Sequence, residues 1–288
     1  MDAREKMITT RDGACLATES FGDSRAEPLL LSMGATASMV WWPIRFCKAL
    51  AKEGFHVIRY DHRDTGRSST GTVGEPSYTV SDLADDLFDI MDAYGLPRAH
   101  FVGMSLGGYL AQVCALRRPE RVGALVLIGS EPVGGVDEPL PDMDDDIVAA
   151  FSALTTLDWS DSAAVEDFMV DMGRLCTGPG RLFEREATLS RVRTELVRAL
   201  TVRSAFNHSI MEMGDIGAPR VQDIAKPILV LHGSHDPVLP LEKGRAIARH
   251  GRDVELMILE GAGHELHADD NDAMVLKIAT FLREKRKV

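Results

Sequence analysis

The sequence predicts an α/β domain in which a mostly parallel central sheet has helices on both faces and an inserted helical lid. Short strand-like runs alternate with longer helical patterns, which is typical of parallel sheets with crossover helices. The 288 residues, of which 45% are hydrophobic, suit one such domain with a large buried core. The alternation stops near residue 131 and resumes near residue 221, and this interruption predicts the inserted segment.

Strands are predicted where a run is apolar, because central parallel strands are buried on both faces. In chain order these runs are residues 28–33, 55–60, 99–103, 122–128, 227–232 and 254–259. A helix is predicted at residues 79–94, where Thr79 and Asp82 form a capping box and Gly95 ends the pattern. Further helices are predicted at residues 106–116 and at about 270–286.

Residues 131–220 contain no strand-like run. The turns there are acidic and rich in Pro and Gly, and the longest helical pattern spans about residues 183–206. We therefore expect a lid at residues 131–220, inserted into a core of residues 1–130 and 221–288. The exposed side of the long lid helix is expected to carry Arg191, Arg193 and Arg198.

Charge and composition exclude several classes of function. The formal net charge of −12 disfavours nucleic acid and anionic membranes as partners, since both are recognised through excess Lys and Arg. The four cysteines form no C-x-x-C pair and are expected to be reduced. The charged N-terminus does not resemble a signal peptide, and no apolar run is long enough to span a bilayer. We expect a cytoplasmic protein and leave its oligomeric state, monomer or homodimer, open.

A G-x-S-x-G element spans residues 103–107, between a predicted strand and a predicted helix. At such a join the serine sits on a sharp turn, and the glycines let neighbouring backbone pass without a Cβ clash. The turn raises the Ser105 hydroxyl above the sheet edge, beside the positive end of the following helix. The five letters alone also fit an ordinary turn, but this context predicts that Ser105 is a nucleophile.

A serine nucleophile needs a base, and the base needs a carboxylate that fixes its tautomer. Of nine histidines, His264 is favoured because it lies in a glycine-rich loop directly after the last predicted strand, and His267 is its rival. Asp236 is the favoured acid because it follows a strand end and lies between the serine and the histidine in the chain. Glu131 is the alternative acid.

The oxyanion of acyl transfer needs fixed N–H donors. We expect one from the amide of Leu106 and the other from Ala35, in the loop after the strand at residues 28–33, with Gly34 as the alternative. His232 and His235 stand close to Asp236, but without further ligands they do not form a typical metal site. No metal and no organic cofactor are therefore expected.

With these motifs the chain resembles the α/β-hydrolase superfamily over nearly its whole length. Four segments match in the family's order, namely residues 59–68, 103–108, 233–240 and 261–264. Residues 32–43 and 60–68 are also similar to the group that contains aclacinomycin methylesterase and esterases that open macrolide lactones. Met33 and Gly34 match the Met-Gly of that group's oxyanion loop, whereas Ala35 stands where the methylesterase has glycine. The narrower resemblance implies a bulky polyketide-type ester or macrolactone, with macrolide opening, and hence antibiotic resistance, favoured.

Apolar side chains near the oxyanion loop and in the lid suit such a substrate. The predicted pocket residues are Met33, Trp41, Trp42, His62, Met104, Phe168, Met172 and Phe206. The lid also supplies Phe151, Met169, Met211 and Met213 as candidates, although each of these side chains also fits a purely structural role. The acidic turn at residues 142–146 is interpreted as a solvated loop, with attraction of a cationic substrate as the alternative.

We therefore expect a serine carboxylic-ester hydrolase that acts on a small-molecule ester or lactone through an acyl-enzyme. The same triad supports small-ester carboxylesterase, thioesterase, acyltransferase and C–C hydrolase reactions, which sequence separates poorly. A serine in place of an aspartate nucleophile argues against dehalogenase and epoxide hydrolase chemistry. A receptor-like protein that binds a ligand with little turnover is the alternative from another class.

Overall fold

Eight strands form one sheet in the computed structural model, which describes residues 4–285. In chain order they are β1 (Arg4–Thr9), β2 (Cys15–Phe21), β3 (Glu27–Ser32), β4 (Phe55–Tyr60), β5 (Ala99–Met104), β6 (Val122–Ile128), β7 (Ile228–Gly233) and β8 (Val254–Leu259). Across the sheet the order is β1-β2-β4-β3-β5-β6-β7-β8, and all pairings from β4 to β8 are parallel. β1 and β2 run antiparallel to their neighbours. The predicted fold class is confirmed.

The central strands β4, β5, β6 and β7 are buried at every position, which explains their continuous apolar sequences. β1 and β2 were missed at the level of sequence. Of the side chains of Glu5 to Thr9, only that of Ile8 is buried, and Met7 is 49% exposed. An edge strand of this kind needs little apolar sequence, and so it leaves little periodic signal.

Eight α-helices accompany the sheet in the described residues: α1 (Ile44–Lys52), α2 (Val80–Ala93), α3 (Leu106–Arg117), α4 (Asp145–Ala153), α5 (Ser162–Cys176), α6 (Arg185–Arg198), α7 (Leu241–His250) and α8 (Asn271–Lys285). On one face of the sheet, α2, α3 and α7 bury Leu87, Leu110 and Ile247. On the other face, α1 and α8 bury Phe46 and Phe281. The predicted capping box of α2 is present. None of the helices within residues 4–285 has the length and apolar character needed to cross a bilayer.

The segment between β6 and β7, residues 129–227, is called the insertion below. All of it is described, and it contains α4, α5, α6 and short 3₁₀ helices but no strand. Val170 of α5 packs against Leu189 and Val192 of α6, and Trp41 closes this cluster from the core side. We keep as a proposal that residues 131–220 act as a lid on a core of residues 1–130 and 221–288, whose first and last three residues lie outside the described part.

The helix predicted at residues 183–206 needs a correction. α6 ends at Arg198, Ala199 is extended with ψ 139°, and a 3₁₀ helix follows at Ser204–Ser209. The Leu200 amide donates to the Gly66 carbonyl at 2.9 Å, so the chain leaves the helix to contact the loop after β4. Helical periodicity does not reveal this break, because it results from a tertiary hydrogen bond.

Candidate active site

Ser105 joins β5 to α3 on a sharp turn, with φ 51° and ψ −117°. Positive φ is costly for a residue with a Cβ and persists only where the surroundings enforce it. Two glycines allow the turn: a Cβ on Gly107 would lie 2.0 Å from the Ser32 carbonyl oxygen, and one on Gly103 would lie 2.2 Å from the Gly107 carbonyl carbon. The close approach of α3 to the end of β3 therefore requires glycine at position 107, and its close approach to β5 requires glycine at position 103.

The loop after β3 lies beside this turn. A Cβ on Gly34 would be 3.3 Å from the Ser105 Cβ and 3.9 Å from its Oγ. Among the described residues, neither the Ala35 amide nor the Leu106 amide has a protein acceptor, and the Gly34 amide has none either. These amides are available as hydrogen-bond donors near the serine, which is what an oxyanion hole requires.

His264 and Asp236 are hydrogen-bonded to each other. The Nδ1–H of His264 donates to Asp236 Oδ2 at 2.7 Å. Asp236 follows β7, and its Oδ1 accepts from the amides of Val238 and Leu239 at 2.9 and 2.7 Å. Burial raises the pKa of Asp236, but His264 and these hydrogen bonds together lower it by more than burial raises it. The pKa therefore lies below its ordinary value. The carboxylate is therefore charged and fixes the histidine tautomer.

Two of the three predicted catalytic side chains reach one cavity, and the third is hydrogen-bonded to one of them. Ser105 and His264 line the same cavity, and Gly129 packs under the His264–Asp236 pair, where a Cβ would lie 3.1 Å from Asp236 Oδ2. No hydrogen bond joins the Ser105 hydroxyl to the His264 ring within residues 4–285. In enzymes without substrate this contact is commonly long, and it tightens in the reacting complex.

The rival residues have other partners. The Nε2–H of His267 donates to the Leu182 carbonyl at 3.1 Å, and the Asp269 amide donates to its Nδ1. Glu131 forms an ion pair with Lys243 at 2.7 Å. His267 lines the same cavity as His264, but within residues 4–285 neither His267 nor Glu131 is hydrogen-bonded to His264 or Asp236.

The histidines near the acid also have structural partners. His232 donates from Nε2 to the Leu239 carbonyl at 2.7 Å, and the Ser234 hydroxyl lies 2.9 Å from His235 Nδ1. In the part of the chain that is described, no three His, Cys, Asp or Glu side chains are grouped to hold a metal ion.

A cavity of about 370 Å³ lies above Ser105, between the core and the insertion. Six of the predicted pocket residues line it: Met33, Trp41, Met104, Phe168, Met172 and Phe206. Phe151 and Met169 line it as well. Trp159, which the sequence analysis passed over, also lines it and packs edge-on against Phe206 at 5.4 Å. An aromatic residue in a polar loop was the only signal for Trp159.

Two of the predicted pocket residues, Trp42 and His62, do not line the cavity. Trp42 is fully buried, and its ring stacks on Phe46 at 5.7 Å, so it belongs to the core beneath α1. His62 is also fully buried and donates from Nε2 to the Met33 carbonyl at 2.9 Å. Burial lowers the pKa of His62 to about 3. His62 therefore holds the loop after β3, which is the predicted oxyanion loop, from behind and does not line the cavity.

Met211 and Met213 do not line the cavity either. Met211 packs against the core on the face of α2, and Met213 is 43% exposed. The acidic turn at residues 142–146 leads into α4, and it too is absent from the cavity wall.

A second histidine, His208, holds the predicted oxyanion loop from the insertion. Its Nδ1 accepts from the Thr36 amide at 3.0 Å, and its Nε2–H donates to the Arg63 carbonyl at 2.8 Å. Thr36 has φ 65°, and burial lowers the pKa of His208, which keeps the ring neutral. Sequence reasoning missed this residue because the contact spans most of the chain.

The arginines of α6 differ from the prediction. Only Arg193 lies on the exposed side, where it pairs with Glu166 at 2.7 Å. Arg198 is mostly buried and forms an ion pair with Asp61, after β4. Arg191 lines the cavity with its guanidinium 5.3 Å from the ring centre of Trp41.

Between these arginines, α6 brings Glu195 to the cavity wall. Glu195 is 3% exposed, and its Oε2 accepts from the Ser38 hydroxyl at 2.5 Å. Burial raises the pKa of Glu195 to about 7. The wall of this largely apolar cavity therefore combines the weakly acidic carboxyl group of Glu195 with the cation of Arg191. Among the described residues, the other charged side chains that line it are Glu184, Glu265 and Arg45, the last of which pairs with Asp272.

Known proteins are similar to this chain over nearly its whole length. The family described as "Serine aminopeptidase, S33" matches residues 29–271. Rhodomycin D methylesterase DauP of Streptomyces sp. (strain C5) is 30% identical over 297 aligned residues, which cover 96% of this chain and 97% of that protein. Rhodomycin D methylesterase DnrP of Streptomyces peucetius is 29% identical with the same coverage, 96% and 97%. The crystal structure of a hydrolase from Pseudomonas aeruginosa PA01 is 27% identical, with a TM-score of 0.73 and coverage of 97% and 98%.

Proposed function

The chain belongs to the serine aminopeptidase S33 family of α/β-hydrolases and is a hydrolase, and on this premise we propose that it hydrolyses a bulky polyketide-type carboxylic ester with Ser105 as nucleophile. The observation that carries the proposal is that the strained Ser105 turn and His264, which is hydrogen-bonded to Asp236, border one largely apolar cavity. A nucleophile, an oriented base and a space for an apolar substrate are the parts that ester hydrolysis needs.

In the acylation step, Ser105 Oγ attacks the ester carbonyl carbon while His264 Nε2 takes the hydroxyl proton. The carbonyl electron pair moves onto oxygen, and the amides of Leu106 and Ala35 bind the resulting oxyanion, with Gly34 as the alternative donor. The intermediate collapses to the acyl-enzyme, and His264 gives its proton to the leaving alcohol.

In the deacylation step, water takes the place of the alcohol. His264 removes a proton from the water, which attacks the acyl carbonyl carbon, and the carboxylic acid leaves as Ser105 regains its proton. Asp236 stays ionised in both steps and stabilises the charged imidazolium. These steps need no metal ion or organic cofactor.

Two relatives bear the name rhodomycin D methylesterase and match the chain from end to end, which favours a methyl ester on a polycyclic polyketide. The opening of a macrolactone is the second candidate, because residues 32–43 and 60–68 resemble a group that contains methylesterases and also esterases that open macrolide lactones. Both reactions cleave an acyl–oxygen bond, and both need the aromatic and Met-rich wall formed by Trp41, Phe168 and Met172. We also propose that the protein acts in the cytoplasm and that its substrate is a small molecule.

The replacement Ser105→Ala tests the chemistry. We expect a loss of ester turnover of about 1,000-fold or more, because the nucleophile is removed. Hydrolysis of 4-nitrophenyl esters measures it, and thermal unfolding checks that the variant folds. Ser160→Ala, in an exposed turn of the insertion, is the matched control and should retain activity. Retention of more than a few per cent of activity by Ser105→Ala would contradict the assignment.

Mass spectrometry of a substrate panel separates the two candidates. The panel contains methyl esters of polycyclic aromatic acids, macrolactones, and short acyl esters as controls. Conversion of a methyl ester to its acid supports the first candidate, and addition of one water to a macrolactone supports the second. Turnover of short acyl esters alone would remove the polyketide proposal, and binding without any product would favour the receptor-like alternative.

A further inference from the structure

The cavity wall carries one cation without an acidic partner. The guanidinium of Arg191 lines the cavity, and no hydrogen bond or ion pair joins it to any other side chain within the described residues. Its neighbours on α6 do not share this property, because Arg193 pairs with Glu166 and Arg198 pairs with Asp61. Burial lowers the pKa of Arg191, although an arginine remains protonated in proteins.

The carboxylates near Arg191 have other partners or lie at the rim. Glu184 is exposed, and Glu265 accepts from the Gly178 amide at 3.0 Å. Glu195 accepts from Ser38. Both Glu184 and Glu265 stabilise the charged form of Arg191, but neither lies within ion-pair distance of its guanidinium. A charge that is partly withdrawn from water and has no partner is costly, and it is a common sign of a binding site.

Trp41 supports the guanidinium from one side. The guanidinium carbon lies 5.3 Å from the centre of the indole ring, a distance at which the ring face attracts a cation. The Nε1–H of Trp41 is itself buried and has no acceptor within residues 4–285. That N–H is closed off from the cavity, whereas the N–H donors of Arg191 are at the wall without an acceptor in the described part of the protein, so the complementary ligand group is an acceptor.

We propose that Arg191 binds an anionic oxygen of the substrate, a carboxylate or a phenolate, that lies apart from the ester being cleaved. The inference rests on the proposed ester hydrolysis and adds a determinant of substrate choice to it. The planar guanidinium presents a fork of N–H donors that matches two acceptor oxygens, and Trp41 restricts its orientation. The site therefore selects acidic esters over neutral esters of the same shape.

Matched substrates test the carboxylate form of the proposal. One is the mono-4-nitrophenyl ester of adipic acid, and the other is methyl 4-nitrophenyl adipate, which has the same chain without the charge. The wild type should prefer the acidic ester, and Arg191→Met should reduce the ratio of the two kcat/KM values about tenfold to a hundredfold, mainly through KM. Arg191→Lys should retain part of the preference. Arg193→Met, an exposed arginine two residues further along α6, is the control and should leave the ratio within about twofold of wild type.

Methyl esters of a hydroxyanthraquinone carboxylic acid and of its O-methyl ether form a second pair, which tests the phenolate form. A preference that depends on Arg191 in either pair supports the inference and identifies the anion. If Arg191→Met leaves both ratios unchanged, the inference is overturned while ester hydrolysis stands.

A binding experiment keeps the inference independent of turnover. Monomethyl adipate and dimethyl adipate are titrated calorimetrically into Ser105→Ala and into the double variant with Arg191→Met. Tighter binding of the acid that is lost in the double variant supports the anion site even if the 4-nitrophenyl esters are not hydrolysed. Equal binding of acid and diester to Ser105→Ala, together with an unchanged ratio for the hydroxyanthraquinone pair in Arg191→Met, overturns it, and thermal unfolding confirms that each variant is folded.

Discussion

Replacement of Asp236 by asparagine changes one atom of the candidate triad. In the structure, Oδ1 accepts from the amides of Val238 and Leu239, and Oδ2 accepts from His264 Nδ1–H at 2.7 Å. The asparagine must keep its oxygen toward the two amides, so its NH₂ group faces Nδ1. Two donors cannot face each other, and His264 therefore moves its proton to Nε2, where it can no longer accept the proton of Ser105.

The expected loss in kcat is about 1,000- to 10,000-fold, as for a serine hydrolase whose base is held in the wrong tautomer. This corresponds to about 4–5 kcal/mol of activation free energy. The fold should survive, because both amide contacts of Oδ1 remain in Asp236→Asn. The measurement is kcat for a 4-nitrophenyl ester, and Asp171→Asn, an exposed aspartate on α5, is the control.

More than a tenth of wild-type kcat in Asp236→Asn would refute the assignment of Asp236. A large loss in Glu131→Gln instead would transfer the role to the alternative acid.

Acid titration gives an independent check of the role of Asp236. The pKa of Asp236 in the folded state lies below 3.8, so its contribution to stability is complete above pH 3.8 and disappears as the pH falls through the folded-state value. The difference in unfolding free energy between wild type and Asp236→Asn should therefore shrink on acidification below pH 3.8.

Two further predictions concern residues that the insertion supplies. Glu195 has its pKa raised from 4.5 to about 7, so it destabilises the fold progressively as the pH rises between these values, and Glu195→Gln should be more stable than wild type at pH 8 by up to about 3 kcal/mol. Urea unfolding at pH 5 and pH 8 measures this, and an equal stability difference at both pH values would contradict it. His208→Phe leaves the Thr36 amide without its acceptor, at a cost of about 1–3 kcal/mol. It should also lower kcat more than it changes KM, and an unchanged kcat in a folded variant would show that the oxyanion loop does not depend on His208.

The sequence predicts the fold correctly because the fold is encoded locally, and the candidate triad rests on the same kind of local signal. Each buried strand is a continuous apolar run, and Ser105, Asp236 and His264 each lie in a short glycine-containing loop at a strand end. In a parallel sheet these ends meet at one edge, so chain order alone brings the three side chains together.

The cavity wall was harder to predict, because helical periodicity does not say which face of a lid helix lies over a cavity. Arg191 and Arg198 read as surface residues by composition, yet one lines the cavity and the other pairs with Asp61 beneath the insertion. Adjacent residues Trp41 and Trp42 looked equivalent, but the backbone turns between them, and only Trp41 reaches the cavity. Such distinctions depend on contacts between distant parts of the chain.

The contact of His208 with the oxyanion loop has a consequence for protein engineering. A chimera that exchanged the insertion for that of another hydrolase, in order to change selectivity, would also remove the acceptor of the Thr36 amide. It would remove the junction of Leu200 with Gly66 as well. Grafts that begin before α4 and stop at Arg198 leave both contacts intact. Exchange of only that part should change which molecules enter the cavity, while the candidate oxyanion donors keep their positions.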